Sequence, residues 1–436
     1  MITTKFGGTS LADGKHFSMV RHILEMDPRR RFVVVSAPGK RHPDDIKITD
    51  QLYSCHAAAR SGGDMAAVFA PVAQRFRDII EELSLSLNLE EDFQNTLLAI
   101  SQGASRAFCA SRGEYFSGRI MSAYLHMPFI DPAQCVFFDA NGNFDSETAH
   151  TSLVHRLQGL TGAVMPGFYG AMPDGTITTF TRGGSDISGA ILARATGSAV
   201  YENWTDVSGV LAADPRIVDN PRPIRDMTYR EVRELAYLGA AVLHEDAVHP
   251  VKLANIPIHI RNTLQPEARG TWVMAEAHSP SGAITGIAGR MGYSAIQVEK
   301  ERSNTEVGYC RKILSCLERN GVPFEHLATG IGSVSLVAPT KLLRAHRDSL
   351  LQDIRQAVNP DTLQIVDGLA MIAVVGRGMA QTCGTAGRLL SAVGQAGISV
   401  RLIDQSTKEL NIVLGVEEKN YQEAMNVIYR AFFTAG

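Results

Sequence analysis

Apolar and polar positions follow two different patterns along this chain. Up to about residue 280, short β-branched runs alternate with longer stretches in which apolar residues recur every three or four positions. The short runs predict buried strands and the longer stretches predict helices, so the pattern indicates an α/β domain with a mainly parallel sheet flanked by helices. Strands are expected at 2–6, 31–37, 162–165, 177–180, 199–204 and 257–261, and helices at 12–26, 185–196, 229–238 and 245–254. Residues 64–125 are mostly helical in pattern.

The pattern changes after residues 276–282, whose composition is typical of a linker. Two similar units follow, the first predicted as βαββαβ and the second as βαββα. Because an unpaired edge exposes backbone hydrogen-bonding groups, we expect the spare strand 283–289 to cross over and complete the second unit. The predicted domains are therefore 1–282, 290–367, and 368–436 completed by 283–289.

The elements of these two units can also be predicted one by one. The strands are expected at 295–299, 323–327, 333–337, 362–366, 371–375, 399–403 and 411–415, and the helices at 305–320, 341–357, 383–396 and 422–432.

Composition excludes several classes of protein. Of 436 residues, 45% are apolar and 20% charged, which is ordinary for a folded globular chain. Lys plus Arg (42) and Asp plus Glu (45) nearly balance, so the basic excess of a nucleic-acid-binding protein is missing. No apolar run suits a signal peptide or a membrane span, and the six cysteines are scattered without metal-ligand spacing. We expect a cytoplasmic protein with reduced thiols and no membrane partner.

The segment Lys5-Phe-Gly-Gly-Thr-Ser10 joins the first predicted strand to a helix. Adjacent glycines let backbone N–H groups approach an anion, and a helix amino terminus favours negative charge, so phosphate is the expected ligand. The lysine precedes the glycines, which distinguishes this loop from a Walker A motif. A plain tight turn is the alternative interpretation.

The segment Thr181-Arg-Gly-Gly-Ser-Asp186 lies between another predicted strand and helix. It offers a guanidinium for a carboxylate, a carboxylate for an ammonium group and two open backbone positions, which together suit an amino acid and a phosphate. The alternative is that Ser185 or Asp186 simply caps the helix.

Two further segments carry candidate polar groups. Residues 202–216 follow a predicted strand and include Thr205, Asp206 and Arg216, at a place where nucleotides bind in open α/β sheets. Asp214-Pro215 could equally form an ordinary turn. Ser111-Arg-Gly-Glu114 opens onto a helical stretch, where a glutamate is commonly only a solvated residue. By contrast, Gly376-Arg-Gly378 lacks the third glycine of a dinucleotide-binding motif.

A set of motifs in order along the chain resembles the aspartate kinases. They are Lys5-Phe-Gly-Gly-Thr-Ser, Val34-Val-Ser-Ala37, Gly113-Glu114, Arg182-Gly-Gly-Ser-Asp186, Trp204-Thr-Asp-Val207, Asp214-Pro-Arg216, Leu238-Gly-Ala-Ala-Val-Leu-His244 and Ile256-Pro-Ile-His-Ile-Arg-Asn-Thr263. The carboxyl-terminal pair resembles the tandem ACT regulatory domains of that family. The resemblance implies a three-layer amino-acid-kinase fold followed by two ferredoxin-like ACT domains.

The resemblance also implies an activity: ATP-dependent phosphorylation of the L-aspartate side chain to 4-phospho-L-aspartate, the first step toward lysine, threonine and methionine. Mg²⁺ is expected to arrive with ATP, without a dedicated metal site in the protein. The implied catalytic residues are Lys5, Arg182 and Asp186. The implied aspartate-binding residues are Thr49, Glu114, Arg182, Ser185 and Asp186, and the implied ATP-binding residues are Lys5, Gly7, Gly8, Thr9, Thr205, Asp206 and Arg216.

The chain departs from the family pattern at four positions. Ala241 replaces a lysine that contacts nucleotide in the family, and Glu245 replaces a proline in the same motif. Leu211 stands where a tyrosine is common, and Thr181 replaces the usual glycine before Arg182.

For regulation, the resemblance implies an effector site at the start of the first ACT helix. Free lysine is expected to bind there across an ACT-mediated dimer, with threonine as the other candidate effector. A helix amino terminus suits the carboxylate of an amino acid, and the acid Glu325 suits its ammonium group. The alternative is that Glu325 is a solvated strand residue. A homodimer or a dimer of dimers is expected, and the implied site residues are Glu306, Val307, Gly308, Tyr309 and Glu325.

Two rival functions remain open at this stage. A related kinase could act on glutamate, acetylglutamate or carbamate, although those enzymes lack tandem ACT domains. Alternatively, the chain could be a catalytically silent amino-acid sensor with the same fold.

Overall fold

A computed structural model of the chain describes residues 1–181, 183–240, 243, 245–277, 282–405 and 410–434. The chain divides into two compact units. The first contains residues 1–210, 223–233 and 241–279, and the second contains residues 211–222, 234–240 and 280–436. The predicted domain bounds at 282, 367 and 436 remain predictions.

A seven-stranded sheet forms the centre of the first unit. Its order is β3-β2-β1-β6-β8-β9-β7, and all neighbouring strands are parallel except β8 and β9. The predicted mainly parallel α/β fold is confirmed. These strands are β1 (Ile2–Phe6), β2 (Arg30–Val35), β3 (Ala163–Pro166), β6 (Val200–Thr205), β7 (Asp226–Thr228), β8 (Ile258–Asn262) and β9 (Thr271–Met274). β4 (Tyr169–Ala171) and β5 (Ile177–Thr179) form a separate antiparallel pair.

The central strand β1 is buried along its whole length, as expected for a parallel strand covered on both faces. Lys5 pairs in register with Val34 of β2 and with Asn203 of β6. The carboxyl ends of these three strands therefore meet at one edge of the sheet. The order of strands reverses here, because β2 and β3 lie on one side of β1, and β6 and the later strands lie on its other side. Ligands bind at such a reversal in open α/β sheets.

Nine helices are described in the chain from Gly14 to Leu253. The predicted helical region 64–125 is confirmed as three helices. The helices are α1 (Gly14–Glu25), α2 (Ile48–Ser61), α3 (Met65–Glu82), α4 (Glu90–Ser101), α5 (Arg106–Leu125), α6 (Ser146–Leu157), α7 (Gly184–Thr196), α8 (Tyr229–Tyr237) and α9 (Val248–Leu253). Edge-to-face aromatic contacts join α3, α4 and α5, since Phe116 lies 5.1 Å from Phe76 and 5.0 Å from Phe93 between ring centroids. Among the described residues, no helix has both the length and the apolar character needed to cross a membrane.

An antiparallel sheet of six strands forms the centre of the second unit, in the order β11-β12-β10-β13-β15-β14. Two of its strands, β10 and β13, are 14 residues long. The strands are β10 (Gly286–Glu299), β11 (His326–Thr329), β12 (Ser333–Pro339), β13 (Thr362–Val375), β14 (Val400–Gln405) and β15 (Asn411–Glu417). The helices are α10 (Tyr309–Arg319), α11 (Thr340–Val358), α12 (Thr385–Gln395) and α13 (Tyr421–Tyr429).

The two long strands are shared by the two βαββ halves of this unit. The first residues of β10 pair with the end of β13, from Gly286 opposite Val375 to Arg290 opposite Met371. The later residues of β10 pair with the beginning of β13, and the register shifts between the two stretches. The strands predicted at 283–289 and 295–299 are thus parts of one strand, as are those predicted at 362–366 and 371–375.

Candidate active site

Lys5 and Asp186 form a buried ion pair at the carboxyl end of the central strand. The Lys5 ammonium lies 2.7 Å from Asp186 Oδ1, and the two side chains are only 9% and 16% exposed. Asp186 lies in the first turn of α7, where a carboxylate is favoured by the helix dipole. The structure therefore brings together two of the three predicted catalytic residues. It does not describe the third, Arg182.

Asn203 connects this ion pair to strand β6. Its side-chain amide donates to Asp186 Oδ1 at 3.0 Å, and its oxygen lies 3.5 Å from the Lys5 ammonium. Asn203 is buried and stands beside Lys5 in the sheet register. The amide therefore limits the positions that both charged groups can take. Asn203 is not among the predicted site residues, although an asparagine inside a predicted buried strand is a signal for one.

The first glycine loop follows β1 directly and lies against the chain that follows β2. The Gly7 N–H donates to the carbonyl of Trp204 at 3.0 Å, and the Gly39 N–H donates to the carbonyl of Gly8 at 2.7 Å. A Cβ on Gly8 would stand 2.9 Å from the Ala37 carbonyl oxygen, so no other residue fits without displacing the backbone. A Cβ on Gly7 would stand 3.5 Å from the Lys5 ammonium, which places that ammonium at the loop.

A second cluster of predicted nucleotide contacts adjoins this loop. The Thr9 hydroxyl donates to Asp206 Oδ2 at 3.2 Å, and the Thr205 hydroxyl donates to Asp206 Oδ1 at 3.1 Å. Both hydroxyls and the carboxylate are at least partly exposed, so a ligand can reach them. Within the described part of the chain, no group of three His, Cys, Asp or Glu side chains could hold a metal ion.

A cavity of about 530 Å³ opens beside the glycine loop. It brings together four predicted site residues: Gly8 and Thr9 from the loop, Thr49 from the start of α2, and Glu114 from α5. Its remaining lining comes mainly from the chain after β2 and is basic. The cationic side chains of this lining are Lys40, Arg41 and Lys47, and the imidazole of His42 lies among them.

Among the described residues of the cavity lining, Glu114 is the one acid, and it is buried. Burial raises the pKa of its carboxyl to about 8, although a hydrogen bond from the Ala37 backbone opposes the rise. Oε2 has no hydrogen-bond partner among the residues that the structure describes. A buried carboxyl with a free oxygen is a candidate partner for a cationic group of a ligand, and the alternative of a solvated helix residue does not fit its burial.

Helix α7 places the rest of the second predicted motif. Gly183, immediately before the helix, has φ of 58°, a conformation that glycine adopts without strain. Ser185 packs closely against Gly167, where a Cβ would stand 2.7 Å from the Ser185 side chain. Arg182 and Ala241 lie outside the described residues, so their expected contacts with ligand stay predictions.

Arg216 belongs to the second unit. Its guanidinium lies 2.6 Å from Asp214, and its side chain is largely exposed. The predicted contact between Arg216 and nucleotide is therefore not tested by the geometry of the first unit.

The residues predicted for an effector site fall into two groups. Glu306, Gly308 and Tyr309 line a cavity of about 360 Å³ at the start of α10, together with Thr329, Gly330 and Val334. Glu306 forms ion pairs of 2.7 Å with Lys300 and 2.5 Å with Lys312. Val307 is 96% exposed.

Glu325 lies apart from that cavity. Its backbone N–H donates to Val337, at the end of β11 that is farthest from the cavity-lining residue Thr329. One carboxylate oxygen of Glu325 is buried without a partner. The four residues of extended chain from Glu325 to the cavity-lining Thr329 span roughly 13 Å. One chain therefore does not bring Glu325 and the α10 cavity together.

Comparisons with known proteins give a consistent result. The amino acid kinase family model matches residues 1–262, and an ACT domain model matches residues 372–432. Aspartokinase 3 of Bacillus subtilis is 34% identical over 449 residues, covering 99% of both chains. The crystal structure of Clostridium acetobutylicum aspartate kinase, described as an allosteric enzyme, matches with a TM-score of 0.91 and 43% identity, covering 99% of this chain and 100% of that one.

Aspartokinase III of Escherichia coli has the same fold at lower identity. Its complex with aspartate and ADP, in the R-state, matches with a TM-score of 0.82 and 23% identity, covering 99% of this chain and 100% of that one. Its complex with lysine and aspartate, in the T-state, matches with a TM-score of 0.76 at the same identity and covers 99% of each chain.

Proposed function

The chain belongs to the aspartokinases of the amino acid kinase family, and we propose that it transfers the γ-phosphoryl group of ATP to the side-chain carboxylate of L-aspartate. The product is 4-phospho-L-aspartate, which enters lysine, threonine and methionine synthesis. The observation that carries the proposal is the buried Lys5 and Asp186 pair at a glycine loop, beside a cavity that contains the buried acid Glu114.

The chemistry of this transfer explains why one buried lysine matters. The side-chain carboxylate of aspartate has an ordinary pKa near 3.9, so at neutral pH it is already ionised and needs no general base. The difficulty is that two anions must approach each other. Phosphoryl transfer therefore depends on positioning and charge neutralisation, which a fixed ammonium group and loop amides supply.

Lys5 provides that charge at the transferring phosphoryl group. Asp186 and Asn203 hold the ammonium in place, because each lies within 3.5 Å of it and the Asn203 amide also donates to Asp186. The Gly7 and Gly8 backbone receives the phosphates. In this proposal the Asp186 carboxylate serves mainly to orient Lys5, since its Oδ1 contacts both Lys5 and Asn203.

Glu114 receives the α-ammonium of aspartate in this proposal. The support is its burial in the cavity and its unpartnered Oε2. Thr49 lines the same cavity, which supports its assignment as a substrate contact. The α-carboxylate is assigned to Arg182 on the sequence motif alone, as is a supporting contact from Ser185.

Nucleotide binding is assigned to the cluster around Asp206. Thr9 and Thr205 both donate to this carboxylate, so the three residues form one polar surface beside the phosphate loop. The complex of the Escherichia coli relative with ADP and aspartate supports ATP as the second substrate. In this proposal Mg²⁺ enters with ATP and would add charge neutralisation when bound.

A hydroxamate assay tests this function. With ATP, Mg²⁺, L-aspartate and hydroxylamine, the protein should form aspartyl hydroxamate, and Lys5→Ala should abolish the signal. Lys15→Ala, which removes an exposed lysine from α1, is the matched control and should retain activity. Folded protein that forms no hydroxamate would contradict the proposal and favour the silent sensor.

The same assay separates aspartate from related substrates. Glutamate, acetylglutamate and carbamate should give little or no acyl phosphate. Acetylglutamate and carbamate have no free ammonium group for Glu114, and glutamate places its side-chain carboxylate one methylene farther from its ammonium group.

We further propose that free lysine inhibits the enzyme by binding at the α10 cavity of one chain and at Glu325 of a second copy. The complex of the Escherichia coli relative with lysine and aspartate supports an amino-acid effector. Because Glu325 and the cavity are apart in one chain, a homodimer is the simplest assembly that joins them. The exposed apolar side chains Val307 (96%) and Ile331 (82%) fit a surface covered by another copy.

Calorimetry with lysine tests this second proposal, and threonine serves as the competing effector. Lysine should bind to the wild-type protein, and Glu325→Gln should weaken binding while leaving uninhibited activity intact. The absence of heat at millimolar lysine, or an unchanged isotherm for Glu325→Gln, would contradict the proposal. Light scattering with and without lysine checks the dimer, which could further assemble into a dimer of dimers.

A further inference from the structure

Arg75 is a buried cation in the middle of an apolar helical layer. It lies on α3 and is 4% exposed, among side chains such as Val72 and Phe76. A guanidinium in such a place is costly unless every charged and polar contact is satisfied. The contacts that satisfy it therefore show what the residue holds together.

Those contacts reach two other parts of the chain, the segment that follows the phosphate loop and residues 38–47. Arg75 Nη1 donates to the Ala12 carbonyl at 2.8 Å, just after the phosphate loop. The same nitrogen lies 3.5 Å from the carbonyl of Gly39. Arg75 Nη2 donates to the carboxylate of Asp45, which is itself buried. One guanidinium thus joins the helical layer, the phosphate loop and residues 38–47.

Residues 38–47, which we name the basic loop, gain further order from Asp45. The Asp45 carboxylate accepts hydrogen bonds from the Arg41 backbone at 3.0 Å and from Arg41 Nε at 3.1 Å. These donors, with Arg75, hold the pKa of Asp45 well below its usual range, although burial opposes them. Asp45 is therefore ionised throughout the neutral range and keeps its partners.

The position of the basic loop explains why its order matters. It forms much of the cavity wall opposite Glu114, and its Gly39 N–H donates to the Gly8 carbonyl at 2.7 Å. Any displacement of the loop moves the cationic side chains of the wall and the backbone of the phosphate loop at the same time.

We propose that Arg75, through its ion pair with Asp45, is a positioning residue for phosphoryl transfer. It holds the basic loop against the phosphate loop so that aspartate and the phosphates of ATP meet in reactive geometry. This inference rests on the proposed function of the cavity. Displacement of reacting groups by about 1 Å can reduce the rate on the order of 10²-fold, so the expected effect is large.

The experiment compares four variants with a matched control. Arg75→Met removes the guanidinium, Arg75→Lys keeps the charge, Asp45→Asn removes the carboxylate charge, and Arg75→Met/Asp45→Asn removes both partners. Arg30→Met is the control, because Arg30 is similarly buried and donates to Glu202 at 2.7 and 3.1 Å and to the Ile23 carbonyl, none of which belongs to residues 38–47.

Two measurements are made on every variant: steady-state kinetics, and hydrogen exchange of the backbone amides of Gly39 and Asp45. In Arg75→Met we expect kcat/KM for aspartate to fall on the order of 10²-fold and both amides to exchange faster. Arg75→Lys should retain part of the activity that Arg75→Met loses. The double variant should be little worse than Arg75→Met or Asp45→Asn alone, since each of the three removes the ion pair between Arg75 and Asp45. Arg30→Met should lower Tm without changing the kinetics or these two amides.

The outcomes separate the inference from the proposed function. If Arg75→Met only lowers Tm, with wild-type kinetics and wild-type exchange of both amides, Arg75 is structural and the inference is overturned. If Arg75→Met does not fold, Arg75→Lys and Asp45→Asn give the same comparison. If the wild-type protein phosphorylates no aspartate, the proposed function fails, while the exchange data still decide whether Arg75 holds the loop.

Discussion

The ion pairs at the proposed catalytic site and at the proposed effector cavity have similar distances but different surroundings. Lys5 and Asp186 are separated by 2.7 Å with side chains 9% and 16% exposed. Glu306 and Lys300 are also separated by 2.7 Å, but both are 27% exposed and Glu306 pairs with a second lysine. Coulomb energy depends on the local dielectric as much as on distance, so the buried pair is stronger and less affected by salt.

The difference in exposure between the two ion pairs fits the roles proposed for them, phosphoryl transfer and effector binding. The catalytic charges are held by neighbours of the same chain, because transfer requires the ammonium in one place before substrate arrives. The groups proposed to bind the effector are divided between the α10 cavity, where Lys300 and Glu306 are each 27% exposed, and Glu325, so binding can still change their arrangement. Substitutions near Lys5 should therefore reduce activity more than substitutions at Glu306.

Asp186→Asn should have the largest effect, because it removes the charge that holds Lys5. We expect kcat to fall on the order of 10²-fold, since the freed ammonium no longer points reliably at the phosphoryl group. KM for ATP should change less. Steady-state hydroxamate formation measures both values, and wild-type kcat in a folded variant would show that Lys5 needs no fixed partner.

Aspartate binding should depend on pH through Glu114. Its pKa is raised to about 8, so the carboxyl is mostly protonated at pH 7 and must ionise to receive the substrate ammonium. KM for aspartate should therefore rise by up to about tenfold for each pH unit below 8, and binding at pH 7 should release a proton. Calorimetry in buffers of different ionisation enthalpy counts that proton.

Glu114→Gln is the control for this prediction. The amide cannot neutralise an ammonium group, so KM should be high and independent of pH over this range. Because burial favours the neutral form of Glu114, the wild-type fold loses stability as pH rises from about 4.5 to about 8, and Glu114→Gln should abolish that loss. A wild-type KM that stays flat from pH 6 to pH 9 would exclude Glu114 as the ammonium partner.

Asn203→Leu should have a smaller effect on catalysis. The variant keeps the branched shape of the buried side chain, at a larger volume, but removes the amide between Lys5 and Asp186, so both lose one hydrogen-bond partner. A loss of about tenfold in kcat is expected, with the melting temperature measured in parallel to detect loss of folding. An unchanged kcat would mean that the Lys5 and Asp186 pair keeps its geometry without Asn203.

Glu306→Gln should have the smallest effect on the uninhibited enzyme. The ion pairs with Lys300 and Lys312 are exposed to solvent and salt, so their removal should change Tm slightly and kcat not at all. High salt should reduce the change in Tm further. A large loss of stability would show that the two sites differ less than their exposure indicates.

The sequence predicts the elements around the catalytic site well. The strand at 2–6 and the helix beginning near Ser185 are found within a residue of their predicted bounds. Helix α2 was not predicted, because Lys47 at its start makes no side-chain cap and the preceding residues are irregular. β7 and β4 have three residues each, which is too short for a periodic signal.

The contacts of Arg75 could not be predicted. Arg75 is 30 residues from Asp45 and 63 from Ala12, and each contact depends on how helices pack rather than on local pattern. The long strands β10 and β13 were each predicted as two, because their halves were assigned to different units, with Gly292 and Gly368 between them. Both glycines have positive φ but lie within continuous strands.

The shared strands of the second unit have a consequence for its unfolding. β10 and β13 each contribute hydrogen bonds to both βαββ halves, so neither half can lose its sheet without removing a strand from the other. The two halves should therefore melt as a single foldon, with amides at both ends of β10 showing the same opening free energy. The two similar halves should therefore behave as one cooperative unfolding unit.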